Sequence, residues 1–66
     1  MAPHQERVVT EKAPLDEKLD KLVSFTTSPN FLHTVEFEER ERMLRQAAVM
    51  RQYSEILGER IAAFPS

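Results

Sequence analysis

"ERERMLRQAAVMRQYSEILGERIAAF", residues 39–64, is the stretch that decides the fold. Met43, Met50, Leu57 and Phe64 recur every seven residues, which in a helix gathers them into one apolar seam. Val49, Ile56 and Ala63 form a second seam, and Ala47 with Ile61 belongs to a third. The segment reads as a helix from about Val35 to about Ala63, ending before Pro65, and spans about 44 Å at 1.5 Å per residue. Its apolar surface is wider than the single stripe one neighbouring helix can cover. Other chains must cover the remainder, so the pattern predicts a symmetric homo-oligomer.

Working outward, Val8, Leu15, Leu19 and Leu22 repeat at helical spacing, with Lys12 filling the gap in the stripe and Glu17 set four residues before Lys21. Pro3 suits a first helical position. Pro14 cannot donate to the carbonyl of Thr10 and biases Ala13 away from helical geometry, so a kink or short break is expected near residues 10–14 of a helix covering about 3–25. Residues 26–34 read as the connection. Within it Ser28 is the expected N-cap and Pro29 the first position of one helical turn, with Phe25, Phe31 and Leu32 plugging that end. Thr34 is the expected N-cap of the second long helix, and Glu36–Arg40, Glu38–Arg42 and Glu41–Arg45 read as ion pairs on a solvated face. The expected fold is all-α: one domain over 1–66, an antiparallel helical hairpin with a Pro-kinked first helix.

Size and composition narrow the function. A chain of 66 residues buries only about 60% of the surface its unfolded form exposes. Without cysteine it has no disulfide and no thiolate metal site, and His4 and His33 lack metal-ligand spacing. No metal and no cofactor is expected. Nine basic residues against eleven acidic ones, a net charge of −2, argue against a nucleic-acid polymer as partner. "MAPHQERVVTEK" has no apolar core of the signal-peptide kind, and no apolar run approaches the roughly 18 residues that cross a bilayer, so an intracellular chain with no membrane partner is expected. Neither a nucleophile–base pair in a familiar context nor a glycine-rich phosphate loop is present, and a non-enzyme is expected.

Two features of the second helix exceed what a stable helix needs. Gly58 costs about 1 kcal/mol relative to alanine, yet it lies close to one line with Ala47 and Ser54, with Ala62 beyond. That shallow face suits close approach by another backbone, which makes Ala47, Ser54, Gly58 and Ile61 candidate oligomer-interface residues. Gln46, Tyr53 and Arg60 are spaced by seven and seven beside the apolar seam. One reading makes them amphipathic side chains at a boundary, stems packed and heads in water. The other makes them a polar-lined pocket in which Tyr53 stacks on a planar group, Arg60 forks onto a phosphate and Gln46 reads an edge.

From His4 to Phe64 the chain resembles a family of small phage proteins, the crAss-phage-related kind. The shared pattern "RxxxQxxxMxxYxxxLxxRIxxF" stands here as Arg42, Gln46, Met50, Tyr53, Leu57, Arg60, Ile61 and Phe64. Pro14 departs from the glutamate expected at that place. More distantly the chain resembles the viral helical-hairpin sponges that counter CBASS and Thoeris immunity, compact homo-oligomers that sequester nucleotide second messengers without cleaving them. Gln52 and Arg60 match those proteins by spacing, whereas their N-terminal ligand-contacting tyrosine has no counterpart, Tyr53 being the one tyrosine. The resemblance implies an immune-evasion sponge in the cytoplasm of an infected bacterium, with a cyclic di- or trinucleotide or related signal as partner. In an antiparallel hairpin Arg7 and Lys12 lie opposite the Tyr53–Arg60 end, so Arg7, Lys12, Tyr53 and Arg60 are the candidate ligand-binding residues. The competing expectation is a structural or regulatory adaptor that grips a host protein through the wide apolar face.

Overall fold

The protein is described by a computed structural model, over residues 1–65. Three helices follow in order: α1 (Pro3–Thr26), the single turn α2 (Phe31–Thr34) and α3 (Phe37–Ala62), with no strand among the described residues. Ala2 precedes α1 in extended geometry and its N–H donates to Gln5 Oε1 at 2.9 Å, while Pro3 opens the helix where its missing donor does no harm. No helix is long and apolar enough to cross a membrane.

The expected interruption near residues 10–14 does not divide α1, which runs through Pro14 as one helix. Pro14 and Thr10 both lie on the exposed side. On that side a carbonyl that loses its N–H partner to a proline is open to water, so the lost bond need not end the helix.

The connection differs from its reading in detail, and hydroxyl chemistry explains why. Ser28 Oγ donates back to the Phe25 carbonyl at 2.8 Å, and Thr27 Oγ1 to the Val23 carbonyl at 2.9 Å. Both hydroxyls thus satisfy the end of α1. Ser28 is therefore not an N-cap; Asn30 holds that position for α2. Thr34 Oγ1 likewise turns back to the Asn30 carbonyl at 2.7 Å, and α3 starts at Phe37 behind Glu36 rather than at Val35 behind Thr34. The far end falls at Ala62, ahead of Pro65 as expected.

Arg40 also leaves its expected partner. Its guanidinium donates to the carbonyls of Val35 (2.7 Å) and Leu32 (3.4 Å) and lies 5.7 Å from the centre of the Phe37 ring. It locks the end of α2 to the start of α3. Arg42 pairs with Glu39 at 2.7 Å and Glu36 at 3.9 Å, while Glu17–Lys21 forms as expected at 3.5 Å. Phe31 is buried and meets Phe25 edge-to-face with centroids 5.7 Å apart; Leu32, expected in the same plug, is exposed.

α1 and α3 pack side by side in a particle of 48 × 15 × 15 Å. Val8 from α1 and Ala47 and Leu57 from α3 are buried, Leu57 completely. Met43, Met50 and Ile61 are half-buried on α3, as is Phe64 just beyond its end and as are Leu15, Leu19 and Leu22 on α1. Leu44, Val49 and Ile56 are exposed, so one helix covers one stripe and the outer seam stays open.

Candidate functional site

Two polar clusters join the long helices. In the first, Lys12 Nζ donates to Asp16 Oδ2 at 2.7 Å and to Ser54 Oγ at 3.0 Å, and Ser54 Oγ in turn donates to Asp16 Oδ1. The i,i+4 spacing on α1 sets lysine and carboxylate on one face, and the small Ser54 side chain leaves room for both against α3. The hydrogen bond from Lys12, with that from Ser54, holds the Asp16 carboxyl below its ordinary range.

Gly58 belongs to this cluster. A methyl at its Cα would stand 3.5 Å from Lys12 Cε, an ordinary van der Waals distance. The small line Ala47, Ser54 and Gly58 thus faces α1 of the same chain, with Ile61 half-buried nearby on that helix. Its close approach is to the stem of Lys12. Lys12 itself is turned into the contact with its ammonium taken up by Asp16 and Ser54, which sets it apart from the other candidate ligand residues.

The second cluster lies on an outer edge of the pair. Tyr53 Oη donates to Glu11 Oε1, linking α3 to α1 across 42 positions of sequence. That hydrogen bond raises the Tyr53 phenol above its ordinary value of 10.0; partial desolvation and the Glu11 charge add to it, and Arg60 pulls part of the way back. Glu11 also lines an open depression of about 420 Å³ with Pro3, Glu6, Arg7 and Thr10. Glu11 is the member that this depression and the Tyr53 hydrogen bond have in common. Among the described residues neither Arg7 nor Arg60 has a carboxylate within ion-pair distance. Gln46 turns along its own helix, its amide 3.7 Å from Met50 Sδ.

The structure thus ties Tyr53 to Glu11 and commits Lys12 to Asp16 and Ser54, while Arg7 and Arg60 carry no ion pair among the described residues. Sequence reasoning missed Glu11 and Asp16. Both are carboxylates on a charged helix, and their significance rests on α3 residues that no local spacing reveals. The arrangement offers two guanidinium groups and an aromatic face, suited to a planar anionic ligand. No group of His, Asp and Glu suited to a metal occurs among the described residues.

A family model described as Sequestin matches residues 2–63, nearly the whole chain. Neither a curated protein nor a solved structure matches it significantly.

Proposed function

The chain belongs to the Sequestin family, and on that premise we propose that it is a phage immune-evasion sponge which binds nucleotide second messengers and holds them without cleaving them. The family's name speaks of sequestration. The ligand class proposed is a cyclic di- or trinucleotide or a related signal, bound by an antiparallel hairpin that assembles into a symmetric homo-oligomer. One observation carries the reading: Arg60, with no ion-pair partner among the described residues, stands seven residues, two helical turns, beyond the exposed Tyr53 ring on α3. A guanidinium forks onto a phosphate and a phenol ring stacks on a base, so the two side chains match the two halves of a nucleotide. Arg7, in the depression that Glu11 also lines, supplies a second positive group. An acidic chain binds an anion when its basic groups converge in this way.

The test is calorimetric titration and thermal shift with a panel of cyclic nucleotides, with the ligand recovered afterwards to check that it is intact. A sponge gains stability by mass action, about 2.7 kcal/mol at a hundredfold excess over Kd. Arg60→Ala is expected to abolish binding with particle mass unchanged, and Arg60→Lys to weaken it, because lysine keeps the charge and loses the fork. Each charge-assisted hydrogen bond is worth about 1.5–3 kcal/mol, so the loss should amount to about ten- to a thousandfold or more in affinity. An Arg60→Ala protein that binds as tightly as the parent removes Arg60 from the site. The exposure of Phe37, Leu44, Val49 and Ile56 favours a second reading, an adaptor on a host protein. Such a protein gains no stability from any nucleotide.

A further inference from the structure

The outer seam of α3 has a pattern of its own. Arg45, Val49, Gln52, Ile56 and Glu59 follow one another at spacings of four, three, four and three, which places them along one line of the helix. All five are exposed, Val49 at 63% and Ile56 at 53%. Alternation of three and four is the spacing at which one helix lies along another in a coiled coil. Arg45 and Glu59, at the two ends of the line, have no ion-pair partner among the described residues.

This line is self-complementary. Reversed end for end about Gln52, it matches Arg45 with Glu59, Val49 with Ile56, and Gln52 with itself. An amide at the centre of an apolar stripe fixes register, because an identical amide opposite satisfies it. The surface of the chain points the same way. Its accessible area is 5062 Å², whereas a compact monomer of 7.7 kDa exposes about 4,300 Å². The excess, about 700 Å², is close to one partner's share of a standard interface. With no disulfide and few buried apolar side chains, a chain this small needs such cover to be stable.

We infer that the Arg45–Glu59 line of α3 is the surface on which a second copy of this chain docks, antiparallel, about a two-fold axis at Gln52. The inference rests on the homo-oligomer of the proposed function and names the face that builds it. That face is distinct from the Ala47–Ser54–Gly58 line, which α1 already occupies. It runs beside Tyr53 and Arg60, so docking leaves those two residues at the border of the interface.

Reversal of charge provides the test, read by sedimentation equilibrium with helicity followed by circular dichroism. The parent chain is expected to sediment as a dimer or a multiple of one. Arg45→Glu alone sets two glutamates face to face, and Glu59→Arg alone sets two arginines face to face, so each should weaken self-association about tenfold or more. The double variant restores opposite charges and should return to within about threefold of the parent. Mixing the two single variants should also restore association, because each supplies what the other lacks. Rescue by mixing has no explanation within one chain, and in a parallel pair, where Arg45 would meet Arg45 and Glu59 meet Glu59, the single variants would not associate more weakly than the parent. A parent that remains a single chain at about 100 µM overturns the inference, as do single variants that associate like the parent or a mixture that gains nothing. A dimer that binds no nucleotide leaves this surface standing and removes the sponge; a single chain that binds nucleotide does the reverse.

Discussion

Tyr53 is where the chain's electrostatics are most directly measurable, because no other tyrosine contributes to the signal. Its hydroxyl donates to Glu11, and its ionisation is raised above 10.0 chiefly by that bond. The sign follows: the folded chain holds the phenol proton more tightly than the unfolded one. Stability from this bond is present below the ordinary phenol range and is lost as pH rises through the raised value. Tyrosinate absorbance against pH should therefore show a midpoint above that of free tyrosine, and Glu11→Ala should bring it down by removing the acceptor together with its charge. An unshifted midpoint in the parent would remove the bond. Gly58 gives a second test. A methyl there meets Lys12 Cε at ordinary contact distance, so Gly58→Ala gains helix propensity with little strain and should stabilise the chain by about 0.5–1 kcal/mol. Gly58→Leu should displace the lysine stem and cost about 1–3 kcal/mol. Chemical denaturation of the two variants separates propensity from packing.

At the scale of elements, the legibility of the sequence depended on how many residues carried each signal. The long amphipathic pattern of α3 identified that helix to within a residue or two, because the apolar positions within it reinforce one another. The ends of the connection rested on single hydroxyls, and Ser28 and Thr34 each had two possible partners, a backbone N–H ahead to accept from and a carbonyl behind to donate to. Both satisfy the helix behind them, a choice that tertiary packing makes and local sequence does not. Of the site, Tyr53 and Arg60 were legible as a seven-residue spacing. Glu11, the partner of Tyr53, was not, nor was the engagement of Lys12 with Ser54, since both depend on how α1 and α3 face each other. Pro14 is the sharpest case. Its covalent chemistry argued for interruption, but a continuous helix with an exposed proline absorbs the lost bond. An interior proline costs about 3 kcal/mol relative to alanine. Pro14→Ala is thus expected to raise stability by up to that amount, with helicity unchanged or slightly higher. A Pro14→Ala protein less stable than the parent would mean the proline sets a bend that packing needs.

For the whole molecule, a particle 48 Å long and 15 Å across has little interior, and its stability is concentrated where the two long helices meet. Leu57 is the one fully buried large side chain among the described residues. Truncating a buried leucine to alanine removes its transfer free energy and leaves a cavity, at a cost of about 2–5 kcal/mol. In a domain below about 80 residues the core itself rarely supplies more than about 3–5 kcal/mol, so this one change should consume most of the margin. Leu57→Ala is expected to unfold at much lower urea concentration than the parent and to lose helicity as it is diluted, because little beyond association then holds the helices together. Ile56→Ala, one residue along and exposed at 53%, is the matched comparison. It removes a side chain of the same volume from the outer face, so it should leave the intrachain contact intact and act only through self-association. Circular dichroism of both variants over a range of protein concentrations distinguishes the two faces. The Leu57 variant should lose stability at every concentration, and the Ile56 variant should approach the parent as concentration rises. Equal and concentration-independent losses would show that α3 has no separate inner and outer faces.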